Sequence, residues 1–107
     1  MTSPASELTD RFGLPPHVLE SLKKVFQSHT SVEHATVFGS RAKGNYRYNS
    51  DIDIMLTAPN LSWQEFIQIE TEIDDLLLPW KVDLALKHHV ENPALLSHVS
   101  RVGVPVY

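Results

Sequence analysis

Two aspartates separated by one residue lie in an alternating apolar segment, and their spacing could support metal-dependent chemistry. In the run from Asp51 to Leu56, Asp51 and Asp53 fall on one side of a strand, because successive side chains point to opposite faces. Their Cα atoms would lie about 7 Å apart, so both carboxylates can reach one point. Like charges at this separation repel each other unless a cation lies between them. Mg²⁺ suits such a pair, because it commonly binds one or two carboxylates and completes its shell with water and phosphate oxygens.

A turn upstream of these aspartates could hold the phosphates of a nucleotide. Ten residues separate Asp51 from Gly39 and Ser40, which follow the apolar segment 35–38. Glycine lets the backbone turn sharply and approach a ligand, and the amides that open a short helix predicted over 40–43 would point at an anion. Ser40 adds a hydroxyl donor. A phosphate-binding turn beside a pair of metal-binding carboxylates is the minimum equipment for nucleotide chemistry.

This combination resembles the Gly-Ser-x10-Asp-x-Asp signature of the polymerase-beta-like nucleotidyltransferase superfamily, and the short chain resembles its minimal nucleotidyltransferase (MNT) branch. The family pattern includes a third carboxylate on a later strand. Asp83 supplies one, because Val82, Leu84 and Leu86 face one way in the segment 81–87 and Asp83 faces the other. The resemblance implies a polymerase-beta-like nucleotidyltransferase fold of the α+β class, a small mixed β-sheet flanked by helices.

The resemblance also implies a metal-assisted mechanism. A nucleoside monophosphate would pass from an NTP to a hydroxyl group, and pyrophosphate would leave. Asp51 and Asp53 would hold the nucleotide-bound Mg²⁺, and Asp83 would help to hold a second ion beside the attacking oxygen. Asp83 is also the best candidate for the general base, because it lies beside the hydroxyl that must lose its proton. These three aspartates are therefore the predicted catalytic and metal-binding residues.

The same resemblance assigns the positive charge near the turn to nucleotide binding. Gly39 and Ser40 would hold the β- and γ-phosphates of the nucleotide. Arg41 or Lys43 would offset the charge on the leaving pyrophosphate. The predicted nucleotide-binding residues are therefore Gly39, Ser40, Arg41 and Lys43.

The acceptor is predicted from the branch that the chain resembles. Stand-alone MNT proteins resemble the antitoxins of HEPN/MNT toxin–antitoxin pairs, in which the MNT protein adenylylates a tyrosine of a HEPN ribonuclease. We therefore expect a Mg²⁺-dependent enzyme that uses ATP to modify a HEPN-domain toxin partner. Two alternatives stay open: the catalytic subunit of a small-molecule nucleotidyltransferase similar to aminoglycoside-modifying enzymes, and an antitoxin that neutralises its partner by contact alone.

Length and charge narrow the class of acceptor. The 107 residues suffice for one domain with a modest core and leave no separate domain to hold a long polynucleotide. The net charge of −4 provides no basic field for DNA or RNA, so a nucleic-acid polymer is a poor acceptor candidate. The chain has no cysteine and no apolar stretch of the ~20 residues that a membrane span needs. We expect a soluble cytoplasmic protein, and the sequence leaves its oligomeric state open, with homo-oligomers and hetero-oligomers as the alternatives.

Residue periodicity predicts the elements that would position the site. Residues 1–13 are expected to form a loosely ordered lead-in, and residues 14–107 a single nucleotidyltransferase domain. Pro16 suits the start of a helix, because the residues after it place apolar side chains at helical spacing. The segment 31–38 is predicted to pair as a strand with the segment 51–57.

A second helix is indicated by a capping box from Ser62 to Glu65. Its apolar residues, including Trp63, are expected to be buried, and Pro79 is expected to end it. A third helix is predicted over 92–101, before a short edge strand. The second helix also carries an acidic run that is predicted to be a solvated face: Glu65, Glu70, Glu72, Asp74 and Asp75.

The remaining aromatic and histidine residues are assigned weaker roles. His88 and His89 are adjacent, which is not the spacing of a zinc-binding helix, although they follow the Asp83 strand and could approach a substrate. Tyr46 and Tyr48 are expected to pack the loop after the turn, with stacking on a base as the alternative. Four other histidines are expected to be superficial or structural: His17, His29, His34 and His98.

Overall fold

A four-stranded mixed sheet organises the chain in the computed structural model, which describes residues 11–107. In chain order the elements are α1 (Pro16–Gln27), β1 (His34–Phe38), α2 (Gly39–Lys43), β2 (Ile52–Thr57), α3 (Trp63–Asp74), β3 (Val82–Leu86), α4 (Pro93–Val102) and β4 (Val104–Pro105). The strand order is β3-β2-β1-β4; β1 runs antiparallel to β2 and β4, and β2 runs parallel to β3. The predicted pairing of the first two strands is confirmed. No helix within the described range is long and apolar enough to cross a bilayer.

One face of the sheet forms the core together with α1 and α3. Ile52 and Ile54 of β2 are completely buried within an apolar cluster that includes residues of both helices. Alternation along β2 therefore leaves Asp53 on the opposite face, where it is half-buried. On that face α4 packs against β1, and the ring of His98 meets the ring of Phe38 at a centroid distance of 6.4 Å. The carboxylate face is thus only partly covered.

The helices begin where the sequence predicts. Pro15 precedes α1. The hydroxyl of Ser62 accepts a hydrogen bond of 3.1 Å from the backbone N–H of Glu65, which confirms the capping box at the start of α3. At the start of α4, Asn92 Oδ1 accepts a bond of 2.9 Å from the N–H of Ala94. These caps satisfy backbone donors that have no partner within their helices.

Three predictions about α3 are wrong: the burial of Trp63, the burial of Leu77, which is 86% exposed, and the end of the helix at Pro79. Trp63 is 61% exposed, because it occupies the first turn of the helix and the buried stripe begins one turn later at Phe66. The helix ends at Asp74, five residues before Pro79. The chain must turn there to enter β3 parallel to β2, and Leu77 takes a left-handed φ of 53° in this connection. The proline lies in the connection and does not terminate the helix.

The predicted N-terminal lead-in falls mainly on residues 1–10, which lie outside the described residues. Arg11–Gly13 form a 3-10 turn. Within this turn Phe12 is 8% exposed and belongs to the apolar core. Burial of its aromatic ring ties the end of the lead-in to the domain.

A buried histidine joins the connection after α1 to helix α3. His29 Nδ1 lies 2.9 Å from Glu65 Oε2, and His29 Nε2 lies 2.6 Å from Glu72 Oε2. Carboxylates only accept hydrogen bonds, so both contacts are satisfied when both ring nitrogens carry protons. Burial lowers the pKa of His29, but the hydrogen bonds and charges of Glu65 and Glu72 outweigh burial and raise this pKa above 6.5.

Stability should therefore fall as the pH rises through the folded-state pKa of His29. An unfolded histidine titrates near 6.5, so the contribution is complete below that pH and is lost as the folded imidazolium deprotonates. We expect His29→Ala to lower the free energy of unfolding by about 2 kcal/mol in acid and to remove this pH dependence. Urea unfolding between about pH 5 and about pH 9 measures both effects. His17→Ala, at an exposed histidine of α1, is the control, and a constant deficit across this range would contradict the prediction.

Candidate active site

The site residues form a row across three neighbouring strands. Phe38 is the partner of Asp53 in the β1–β2 register, and Asp53 is the partner of Asp83 in the β2–β3 register. Adjacent strands lie about 4.8 Å apart, so the two aspartates occupy neighbouring positions on the sheet. Gly39 directly follows Phe38, and Asp51 directly precedes β2 in an exposed position. The structure thus brings the predicted turn and carboxylates together at one end of β2.

Three carboxylates concentrate negative charge around Asp53. Burial, followed by the charges of Asp83 and Asp51, raises the pKa of Asp53 above its usual 3.8. The side chain of Asp83 is 45% exposed, and its Oδ1 lies 3.4 Å from Lys81 Nζ. A bound cation would offset the repulsion that acts on Asp53. The electrostatics therefore favour an ion at this position.

The donor set fits an open magnesium site. Within residues 11–107, no three acidic or histidine side chains lie close enough together to hold a metal ion between them. Mg²⁺ does not require three such side chains, because it usually keeps water and substrate phosphates beside one or two carboxylates. Asp53 with its neighbours Asp51 and Asp83 offers those carboxylates, and the nucleotide would supply further oxygens.

The turn before α2 depends on glycine at its first residue. Gly39 has a φ of +73°, and a Cβ placed there would collide with Asp53 Oδ2. The backbone therefore passes directly beside that carboxylate, an approach that a larger residue would block. Ser40 follows in a half-buried position, and its carbonyl accepts a bond of 2.9 Å from the N–H of Gly44. Lys43 is exposed at the end of α2.

Arg41 does not occupy the position expected of a phosphate ligand. Its side chain is buried, with only 2% of the residue exposed. Its guanidinium donates to the carbonyls of Phe12 at 2.7 Å, of Tyr48 at 3.0 Å, and of Ser50 at 3.1 and 3.0 Å. It also lies over the ring of Tyr46, 5.0 Å from the centroid. These contacts make the buried guanidinium an anchor of the loop that leads to Asp51, and the nucleotide-binding role of Arg41 stays a prediction.

We expect Arg41→Lys to lower the free energy of unfolding by about 2 to 3 kcal/mol, although it conserves the charge. One ammonium cannot replace a planar guanidinium that serves three carbonyl groups at once. The same variant should weaken nucleotide binding, because the loop before Asp51 loses its anchor. Urea unfolding and nucleotide titration measure the two effects. Arg47→Lys, at an exposed position of the same loop, is the matched control; equal stability of the two variants would contradict the anchoring role.

The loop aromatics divide into a packed and an exposed residue. Tyr46 packs on Arg41, as predicted, whereas Tyr48 is 81% exposed. The ring of Tyr48 meets Trp80 edge-on at a centroid distance of 6.0 Å, and the indole N–H of Trp80 donates to the carbonyl of Tyr48 at 2.8 Å. The contact between Trp80 and Tyr48 was not predicted from the sequence, because the two residues are distant in the chain and no local pattern indicates that they meet.

His88 and His89 lie away from the carboxylates. They form a 3-10 turn with Lys87 after the end of β3, whereas Asp83 lies near its start. Asp83 lies three residues before the end of the strand at Leu86, which at about 3.3 Å per residue is roughly 10 Å. A role for these histidines beside a substrate stays a hypothesis.

The sheet and its row of site residues define a nucleotidyltransferase of the polymerase-beta type, as predicted. The model of the family described as "Polymerase beta, Nucleotidyltransferase" matches residues 20–107. The chain belongs to this family.

Two relatives from Methanocaldococcus jannaschii each bear the name "Putative protein adenylyltransferase". One is 34% identical over 77 residues, which cover 71% of this chain and 78% of the relative. The other is 32% identical over 83 residues, which cover 77% of this chain and 84% of the relative. The family relationship therefore extends over most of both chains.

Solved structures confirm the fold. A crystal structure of a toxin–antitoxin with AMP-PNP contains a chain that matches with a TM-score of 0.68 at 22% identity, covering 83% of this chain and 72% of that one. A complex of an MNT antitoxin with the tri-AMPylated HEPN toxin of Shewanella oneidensis matches with a TM-score of 0.64 at 18% identity, covering 85% and 70%. At these sequence identities, the similarity shows that this chain and the two solved chains share a fold.

Proposed function

We propose that this protein transfers AMP from ATP to a tyrosine hydroxyl of a HEPN-domain toxin and thereby acts as its antitoxin. The observation that carries the proposal is the row formed by Gly39, Asp53 and Asp83 on one face of the sheet. The names of the two relatives support adenylyl transfer to protein. AMP-PNP in one similar structure and a tri-AMPylated HEPN toxin in another support the nucleotide and the partner.

At the nucleotide end, the chain supplies both the metal ligands and the phosphate-binding turn. Asp51 and Asp53 would hold the nucleotide's Mg²⁺, and Asp83 a second ion, which would offset phosphate charge and favour ionisation of the attacking hydroxyl. The turn at Gly39 and Ser40 would bind the β- and γ-phosphates. Exposed Lys43 would offset charge on the pyrophosphate.

At the acceptor end, Asp83 takes the proton of the attacking hydroxyl. The hydroxyl oxygen bonds to the α-phosphorus, the bond from that phosphorus to the bridging oxygen breaks, and pyrophosphate leaves. Asp83 suits this role because its side chain is 45% exposed and can meet an incoming hydroxyl, whereas burial raises the pKa of Asp53. We place the protein in the cytoplasm, where ATP and such a partner would meet.

A HEPN-domain protein encoded in the neighbouring reading frame would provide the test. Co-expressed with the wild-type chain, it should become adenylylated and lose its toxicity. The double variant Asp51→Asn with Asp53→Asn should bind it without protecting the cell. Protection that survives both substitutions would establish neutralisation by contact, and transfer of label to a sugar hydroxyl instead of the partner would establish a small-molecule enzyme.

A further inference from the structure

A cleft of about 310 Å³ opens between α3 and the free edge of β3. Asp83 belongs both to this cleft and to the row of site residues, so the cleft adjoins the position where the acceptor hydroxyl must lose its proton. A molecule with its hydroxyl at Asp83 can therefore place its neighbouring atoms in the cleft. The lining residues that matter here are Glu70, Asp74, Trp80, Lys81, Val82, Asp83 and Leu84.

The wall formed by β3 offers unpaired backbone groups. Lys81 C=O accepts a bond of 2.8 Å from the N–H of Ile52, and the parallel ladder continues through every second residue of β3. The N–H and C=O groups of Val82 and Leu84 therefore point away from β2. Since β3 is the last strand of the sheet, no strand within the described residues covers this edge. Such an edge pairs with an extended polypeptide, which a sugar or other small acceptor cannot imitate.

The side chains that line the cleft favour a positively charged occupant. Glu70 and Asp74 are exposed on successive turns of α3, one turn apart on the same helix face. They set two carboxylates beside Lys81, whose ammonium lies 3.4 Å from Asp83 and is offset by it. Trp80 adds an aromatic wall, which attracts cations as well as aromatic rings. Charge complementarity therefore points to basic residues.

We propose that this cleft is the acceptor subsite. It binds an extended segment of the partner protein along the edge of β3, with basic side chains beside Glu70 and Asp74 and the acceptor hydroxyl at Asp83. The proposal rests on the proposed function and adds the place and the chemistry of acceptor binding. It also gives part of the acidic run on α3 a role beyond solvation.

Steady-state kinetics of AMP transfer from α-labelled ATP to the purified HEPN-domain protein test the subsite. We expect Glu70→Gln with Asp74→Asn to raise the KM for that acceptor about tenfold, because two exposed charge contacts are lost. The affinity for ATP and the kcat should stay within about twofold. Raising the salt concentration should increase the KM of the wild type more than that of the variant. Glu20→Gln with Glu91→Gln, two exposed residues outside the cleft, is the charge-matched control.

Amide hydrogen exchange tests the edge pairing without a mutation. In the complex, the N–H groups of Val82 and Leu84 should exchange at least about tenfold more slowly than in the free chain, because they become hydrogen-bonded. An unchanged KM in the Glu70/Asp74 variant, or unchanged exchange at both amides, would overturn the subsite while transfer by the wild type upholds the proposed function. Absence of transfer by the wild type would overturn the proposed function, and the subsite with it.

Discussion

Asp53→Asn is expected to lower the rate of AMP transfer by about 10³-fold or more while the protein stays folded. Asparagine has nearly the same shape as aspartate but cannot carry the charge that binds a nucleotide's metal ion. Asp53 is the central member of the row, between the turn at Gly39 and the side chain of Asp83. Its charge is destabilised by burial and by neighbouring carboxylates. Removing that charge should therefore leave the metal-free protein as stable as the wild type, or more stable.

Transfer kinetics and thermal unfolding of the same preparations separate these two effects. Asp75→Asn, an exposed aspartate at the end of α3, is the control and should retain full activity. Magnesium should raise the unfolding temperature of the wild type in the presence of ATP and have little effect on Asp53→Asn. Transfer within tenfold of the wild-type rate by Asp53→Asn would remove this residue from the mechanism.

Gly39→Ala is expected to reduce transfer by about 10²-fold or more and to lower the free energy of unfolding by about 1 to 3 kcal/mol. The new Cβ would collide with Asp53 Oδ2, and an alanine at a φ of +73° is strained. Relief of the collision must displace either the turn or the carboxylate, and both belong to the proposed site. Activity and urea unfolding should therefore change together.

Gly44→Ala separates backbone strain from the collision. Gly44 also has a positive φ, of +88°, but a Cβ there meets nothing within 4 Å. We expect this control to lose about 1 kcal/mol of stability and to keep most of its transfer activity. If both variants lost the same activity, the loss at Gly39 would arise from strain alone and not from its contact with Asp53.

The carboxylate row was predictable because local sequence determines most of it. Apolar and polar residues alternate around Asp53 and Asp83, which determines the apolar face of each strand. The aspartates must then lie on the opposite face, where they are available for catalysis. The start of α3 was predictable for the same reason, since Ser62 and Glu65 lie in one helical turn. These features need only residues that are close in the chain.

The features that sequence reasoning missed depend on contacts between distant residues. Arg41 follows the phosphate turn like a nucleotide ligand, but the carbonyls of Phe12 and Ser50 come together only in the folded chain and bind its guanidinium. The contacts of His29 and the position of His88 were not predictable either. His29 binds two glutamates of a helix that is distant in sequence, and His88 lies in the turn at the end of β3 that is away from Asp83.

The position of the label in ATP distinguishes transfer of AMP from transfer of the terminal phosphate. The chain, Mg²⁺ and the HEPN-domain partner would be incubated in parallel with ATP labelled on the α-phosphate and with ATP labelled on the γ-phosphate. We predict that the partner acquires the α-label only, that the γ-label is released as pyrophosphate, and that Asp53→Asn lowers both signals by about 10³-fold or more. A partner that acquires the γ-label, or that stays unlabelled with both nucleotides, would contradict adenylyl transfer by this row of aspartates.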